Sequence, residues 1–259
     1  MSLLISTQSE LLKTKRTYSF WFTIIGAFFI PLMLSIGISS GDDSAQAAMT
    51  NDPWTEYLGM GWQLACIFLL PIYTILVSAL LINIEHRNNT WKQVFASPQS
   101  MGNIFFSKFL TIQVMILFCF LLLNVFMIMI AVIANLANPK FNFLHQPINW
   151  QLILYMNFKA WIATLGISAI QYWLSLRFKN FIAPLGIGLA LFIVAVVVII
   201  NKWEHVYKYP YALPALSFDA VFKMKHRPFL ENHELNSIGY FVFFILVGFW
   251  DMKTRKEKG

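Results

Sequence analysis

Charge is what this chain has least of. Only 12% of its 259 residues are Asp, Glu, Lys or Arg, against about a quarter in a soluble domain. That is too little polar surface to cover a globule in water, so the class is a multi-pass membrane protein. Cysteine is scarce too. Cys66 and Cys119 each fall inside an apolar run, and no C-x-x-C occurs. They read as small buried hydrophobes rather than a disulfide or metal pair. No glycine is followed by lysine, so the chain has no G-x-x-x-x-G-K-[ST] cradle for nucleotide phosphates. The absence of H-E-x-x-H argues against a zinc protease. No D-D-x-x-D-type cluster stands on one face, as a membrane phosphatase or prenyl transferase would want. Alternating apolar and polar residues are also missing, which sets aside a β-barrel.

What is present is apolar and aromatic: 58% hydrophobic residues, 17% aromatic, mean hydropathy +0.62. Six runs, roughly 18–38, 60–84, 107–134, 151–176, 181–201 and 236–251, are about long enough to cross a core of roughly 30 Å as helices. With no water in the lipid, a helix satisfies the backbone within itself. The expectation is an all-α membrane protein with six transmembrane helices, forming one transmembrane domain over 1–259. The first run follows "KTKR" and precedes an "AQA" at 45–47. Its length from Phe20 to Ile38 exceeds the core of a signal peptide, so a retained helix is expected, kinked at Pro31.

Lys and Arg set the orientation. Lys13, Lys15 and Arg16, then Arg87, Lys92 and Lys108, then Arg177 and Lys179, then Lys253, Arg255, Lys256 and Lys258 share one side if six spans alternate. The first opposite loop, 39–59, has Asp42, Asp43, Asp52 and Glu56 but no Lys or Arg. Both termini are therefore expected in the cytoplasm, with the chain in the inner (cytoplasmic) membrane. The net charge of +7 fits cytoplasmic flanks against anionic lipid and does not call for nucleic acid. The dissenting segment is 202–235, which carries five Lys or Arg. Within it, "YPYALPALSFDAVF" (209–222) is apolar, broken by Pro210 and Pro214, and too short to span. Two readings stand: a re-entrant outer segment shielded by protein, or an aromatic stretch resting on headgroups.

Polar residues inside the spans are Asn83, Gln113, Asn124, Gln171 and Lys159. Amides there are expected to bond between helices. Lys159, near the outer end of its run, is expected to snorkel to the outer interface, the other reading being an intramembrane functional charge. "ENHE" (231–234) is expected as a solvated polar turn rather than a metal site. Gly186 and Gly188 permit close helix packing.

The segment "EHRNNTWKQVFASPQS" (85–100) stands apart between two apolar runs. Asn88 or Asn89 can cap a helix there. Trp91, Val94 and Phe95 form an apolar stripe, Thr90, Lys92 and Gln93 face elsewhere, Pro98 stops the helix and Ser100 can start the next. It is either an interfacial helix on lipid or a plug for a soluble partner's groove.

Glu85, "NNTWK", "SPQS" and Lys108 resemble the intracellular loop of ABC-2-type transporter permeases. In that family a glutamate ends the second helix and a lysine opens the third. "SELLKTKRTYSFW" (9–21) resembles the family's N-terminal segment, and the six-span layout agrees. Asn89 stands where glycine is common. Within the family the chain is similar to permeases of lantibiotic and bacitracin self-protection transporters. The resemblance implies a cytoplasmic N-terminal segment (1–17), a cytoplasmic coupling loop and helix (85–106) and the outer segment (202–235). Glu85, Thr90, Trp91, Lys92, Phe95 and Pro98 would couple to a separate ABC ATPase. That subunit would hold ATP and Mg, with no cofactor or catalytic residue in this chain. A second permease, identical or homologous, would complete the pathway. The implied function is ATP-driven export of a hydrophobic or amphipathic cargo such as an antimicrobial peptide, hence antibiotic resistance. The alternatives are a multi-pass membrane enzyme acting on lipids, or a binding-only immunity or scaffold protein.

Overall fold

The computed structural model describes residues 3–15, 17–39, 52–88, 90–96, 99–138, 141–222 and 229–254. It is all-helical, with no strand among the described residues. Among the described residues the helices are α1 (Leu3–Thr14), α2 (Tyr18–Ser39), α3 (Pro53–Arg87), α4 (Trp91–Ala96), α5 (Met101–Ala137), α6 (Trp150–Arg177), α7 (Ile182–Ile200), α8 (Leu213–Phe222) and α9 (Asn232–Thr254). Six of these, α2, α3, α5, α6, α7 and α9, are long and apolar enough to cross a membrane.

The helices outrun the apolar runs that announced them. α3 begins at Pro53 because Asp52 accepts a hydrogen bond from Thr55 N–H, 3.2 Å, and proline needs no donor at the first position. α5 begins at Met101 because Ser100 accepts from Asn103 N–H, 3.2 Å. Asn149 does the same for α6 through Leu152 N–H, 3.0 Å. At 1.5 Å per residue α3 and α5 are each roughly 50 Å long, well beyond a hydrocarbon core of about 30 Å.

α3 contains a π-turn, Ala65–Leu69, in which Leu70 N–H reaches back to Ala65 O. Pro71 follows, and it has no N–H to donate. The helix widens just before the residue that would leave an ordinary ladder short of a bond.

α3 and α6 form the centre. Their most apolar windows are 67% buried, against 22% in α2, α7 and α9. α6 packs along α9 and α3, and α2 packs along α5. Amides stitch these contacts. Gln113 donates to Ser168 Oγ at 2.9 Å and accepts from Trp161 Nε1 at 3.1 Å. Asn124 donates to Asn157 Oδ1 at 3.0 Å and accepts from Trp62 Nε1 at 3.2 Å. Gln171 donates to Tyr211 OH at 2.7 Å. These are the interhelical bonds expected of amides in spans. The glycines of α7 differ. Nothing lies within 4 Å of a Cβ at Gly186, but one at Gly188 would meet the Gln171 amide and sit 2.8 Å from Ile75 Cγ2.

The stretch before α9 is buried in protein rather than laid on the bundle's surface. Lys202, with φ 49°, turns the chain after α7. Turns at Val206–Lys208 and Pro210–Ala212 lead into α8. Tyr211, Leu213, Ser217, Phe218 and Val221 are buried, and α8 packs on α6, on α9 and on the π-turn of α3. Lys159 of α6 meets the start of α9, whereas Tyr211 meets Gln171, twelve residues further along α6. That spacing is about 18 Å of helix. The chain therefore enters the bundle and leaves it again on the same side, a re-entrant hairpin.

Lys159 corrects one expectation. Its ammonium does not snorkel to an interface. It is 1% exposed and lies 2.7 Å from Glu234 Oε2, which is fully buried. A fixed carboxylate within reach outcompetes a stretch toward water. "ENHE" is corrected with it: His233 and Glu234 are packed inside, so this is no solvated turn. Among the described residues no group of three or more His, Cys, Asp or Glu could hold a metal.

Candidate functional site

The six spans bring Leu3 and Thr254 to one end of the bundle. Arg177 and Asp251, 2.9 Å apart, join α6 to α9 at that end. There too α1 folds back onto the start of α5. It turns polar residues inward: Ser6, Thr7 and Thr14 are buried, while Leu4, Ile5 and Leu12 are exposed.

The reason for this inversion is a quartet of charges built around a buried pair. Glu85, from the last turn of α3, is 1% exposed, and Lys108, from the second turn of α5, 3%. Lys108 Nζ lies 2.6 Å from Glu85 Oε1 and 2.9 Å from Glu10 Oε2. Lys13 Nζ lies 2.6 Å from Glu10 Oε1 and 3.2 Å from Glu85 Oε1. Two cations and two anions alternate, so the cluster is neutral while each member is paired. Glu85 Oε2 has no hydrogen-bond partner among the described residues. Burial pushes the Glu10 carboxyl up, but Lys108 beside it and Lys13 outweigh this and hold it below the ordinary value of 4.5. Burial pushes the Lys13 ammonium down, and Glu10 and Glu85 outweigh that to raise it above 10.5.

α4 is fastened to the same cluster. Thr90 N–H donates to Glu85 O at 3.1 Å, and Val94 N–H donates to Thr90 O at 3.0 Å, which puts Thr90 at the N-cap position. Asn88 instead closes α3, because the longer helix runs on through Arg87. Asn89 lies outside the described residues. Trp91 Nε1 donates to His86 Nδ1 at 3.0 Å, and its ring lies 5.5 Å from Lys108 Nζ. Trp91 and Val94 pack against the chain's own core, while Gln93 is exposed. Ser6 donates to Gln99 at 3.2 Å, closing α1 over the end of the loop. The side chains of Lys92 and Phe95, and all of Pro98, lie outside the described residues.

The geometry thus brings Glu85, Thr90 and Trp91 together with Lys108, and adds Glu10 and Lys13 from α1. The sequence quoted both segments but offered no sign that they meet. A family model described as ABC-2 family transporter protein matches residues 6–196. The chain belongs to the ABC-2 transporter family. The match includes the quartet, α4 and every span through most of α7. No match is found among curated proteins. Members of this ABC-2 family are membrane proteins of transporters, and the all-helical, multi-pass architecture accords with that.

Proposed function

We propose that the chain is the permease subunit of an ATP-driven ABC-2 exporter, worked by a separate ATP-hydrolysing subunit that supplies ATP and Mg. The observation that carries this reading is the charge quartet, which ties α1, α3, α4 and α5 into one block at the end of the bundle holding Leu3 and Thr254. Force delivered to α4 would reach two spans at once through Thr90, Glu85 and Lys108. Trp91 holds α4 to this block, and the exposed side with Gln93 is free for the ATPase. Lys92, Phe95 and Pro98 complete the proposed coupling set. The charge distribution along the chain supports placing this end in the cytoplasm. A second permease copy or homologue would enclose the pathway, in the inner membrane.

The test is coexpression with the ATPase. Phe95→Ala, and Trp91→Ala through release of α4 from the block, should insert normally yet lower ATPase binding or stimulation by about tenfold, equivalent to about 1.4 kcal/mol. Unchanged assembly and turnover in both variants would make α4 a lipid anchor only.

A further inference from the structure

We propose that one face of α3 binds water, forming a hydrated seam that runs from the charge quartet to the re-entrant hairpin. Thr74, Ser78 and Glu85 line that face. Their spacing keeps them within about 40° of one another around the helix and spreads them over about 16 Å along it. Each is 1% exposed or less. Thr74 Oγ1, Ser78 Oγ and Glu85 Oε2 have no hydrogen-bond partner among the described residues. Other buried hydroxyls of the bundle behave differently. Those of Thr23, Ser107, Thr111, Ser168 and Ser175 each donate to a carbonyl three or four residues back. Thr74 and Ser78 forgo that bond. A buried oxygen is costly to leave unpaired, and water is the partner that fits where no side chain reaches.

Room for water is present at the quartet. A cavity of about 10 Å³ is lined by Leu81 and Ile82 of α3, Lys108 and Thr111 of α5, and Glu10 and Thr14 of α1. One buried water needs about that much space and several polar partners, which the residues of α1 and α5 supply. Leu81 and Ile82 belong to the stretch between Ser78 and Glu85, so the cavity lies beside the seam. At the other end stands Ile75, next to Thr74. Its Cγ2 is 2.8 Å from the place of a Cβ at Gly188, and the Gln171 amide of α6 converges on that same place. Gln171 is fully buried and donates to Tyr211 OH of the hairpin, while its Oε1 has no partner among the described residues. A carbonyl oxygen only accepts, and water donates twice, so water can join Gln171 to Thr74 and Ser78. α3 and α6 are the central spans. Bridging water satisfies their polar groups without fixing one helix directly to the other.

The experiment is X-ray radiolysis of the purified full chain in lipid, with a radical scavenger in the bulk solution. Radicals formed on bound water oxidise the side chains beside it, and mass spectrometry locates the sites. In the wild type, Leu81, Ile82 and Ile75 should oxidise several-fold faster than Leu123 and Met127, which are fully buried on α5. Met127 makes a stringent control, because methionine is itself readily oxidised. Thr74→Val with Ser78→Ala removes both hydroxyls at nearly constant shape. It should suppress oxidation of Ile75 and spare Leu81 and Ile82, which the quartet keeps hydrated. Thr74→Val alone should lower the thermal unfolding midpoint, since a water-bonded hydroxyl is lost. In a dry seam the same change would remove an unpaired hydroxyl and raise the midpoint. Wild-type oxidation no faster than at Leu123 and Met127 would overturn the seam, as would a raised midpoint in Thr74→Val. Oxidation confined to Leu81 and Ile82 would overturn its run to the hairpin and leave one water at the quartet. Unchanged Ile75 oxidation in the double variant would overturn the role of the two hydroxyls, because water then reaches α3 without them.

Discussion

Lys108 holds two carboxylates on one ammonium, and that is where single substitutions should be felt most. Lys108→Met leaves buried Glu85 and half-buried Glu10 with Lys13 alone between them. Breaking a buried pair by removing one partner costs about 3–5 kcal/mol. The thermal unfolding midpoint in detergent should drop clearly. Lys108→Met combined with Glu85→Gln should cost less than the two changes added together, since the second removes the charge that the first orphaned. A strictly additive pair would show that the two groups do not interact.

The same cluster sets a pH dependence for docking of α1. Glu10 is held below its ordinary value, so its contribution is complete above 4.5 and is lost as pH falls through the depressed folded value. Lys13 is held above its ordinary value, so its contribution is complete below 10.5 and is lost as pH rises through the raised value. Docking should therefore be flat between these values and fail in acid. Pepsin cleavage within α1, followed as pH is lowered, should accelerate only below 4.5. In Glu10→Gln the acceleration should lose this step.

At the scale of elements, the glycines of α7 make a paired prediction. A methyl at Gly188 would press on the Gln171 amide and on Ile75, and Gln171 is already committed to Tyr211 of the hairpin. Gly188→Ala should destabilise by about 1–3 kcal/mol and loosen the α7–α6 contact. Gly186→Ala, with open space beside it, should be silent in the same melting experiment. The sequence put both glycines forward for packing; the rotation of α7 selects one.

Much of the element plan was legible for a simple reason: hydropathy measures what sits in lipid, and six stretches had to. The ends were misjudged where helices continue into water. Pro53 to Gly59 and Met101 to Phe106 are helical because of Asp52 and Ser100; Ser100 is a helix start that the sequence offers, while the cap at Asp52 is a local signal that a hydropathy reading overlooks. α1 was seen as a charged approach to the first span, and its inverted faces had no meaning until Glu10 had a partner. The pairing of Glu10 with Lys108 spans 98 residues, and that of Lys159 with Glu234 spans 75. No spacing rule joins residues so far apart. The resemblance placed Glu85 and Lys108 at the site, but the structure supplied the reason, which is charge neutralisation in a buried place.

Taken as a whole molecule, the chain has two differently built ends. One holds α1, α4 and the quartet; the other holds the Lys159–Glu234 pair and the mouth of the hairpin. With the first end in the cytoplasm, Gln93→Cys should react with an impermeant maleimide only after cells are permeabilised, and Glu204→Cys, at an exposed site, should react in intact cells. The reverse pattern would invert the topology and remove α4 from reach of any cytoplasmic ATPase.

Cargo follows from what the walls can desolvate. The charged side chains buried in the described bundle are partnered in the quartet and in the Lys159–Glu234 pair, and the remaining interior is apolar, aromatic and amide-lined. A sugar would need a buried partner for each hydroxyl, at a cost of about 1–3 kcal/mol for each one left unmade. An amphiphile drawn from the membrane needs few. The re-entrant hairpin also opens on the side away from α4, where an outward-bound molecule would leave. On this ground the proposed cargo is a hydrophobic or amphipathic peptide. Coexpression of the chain with its ATPase should raise resistance to a membrane-active peptide antibiotic. A hydrolysis-dead ATPase should abolish the gain, and Lys108→Met should reduce it even where the protein still reaches the membrane. Unchanged sensitivity across a broad peptide panel, with the complex assembled and hydrolysing ATP, would rule out this cargo while leaving the quartet and the permease assignment to their own tests.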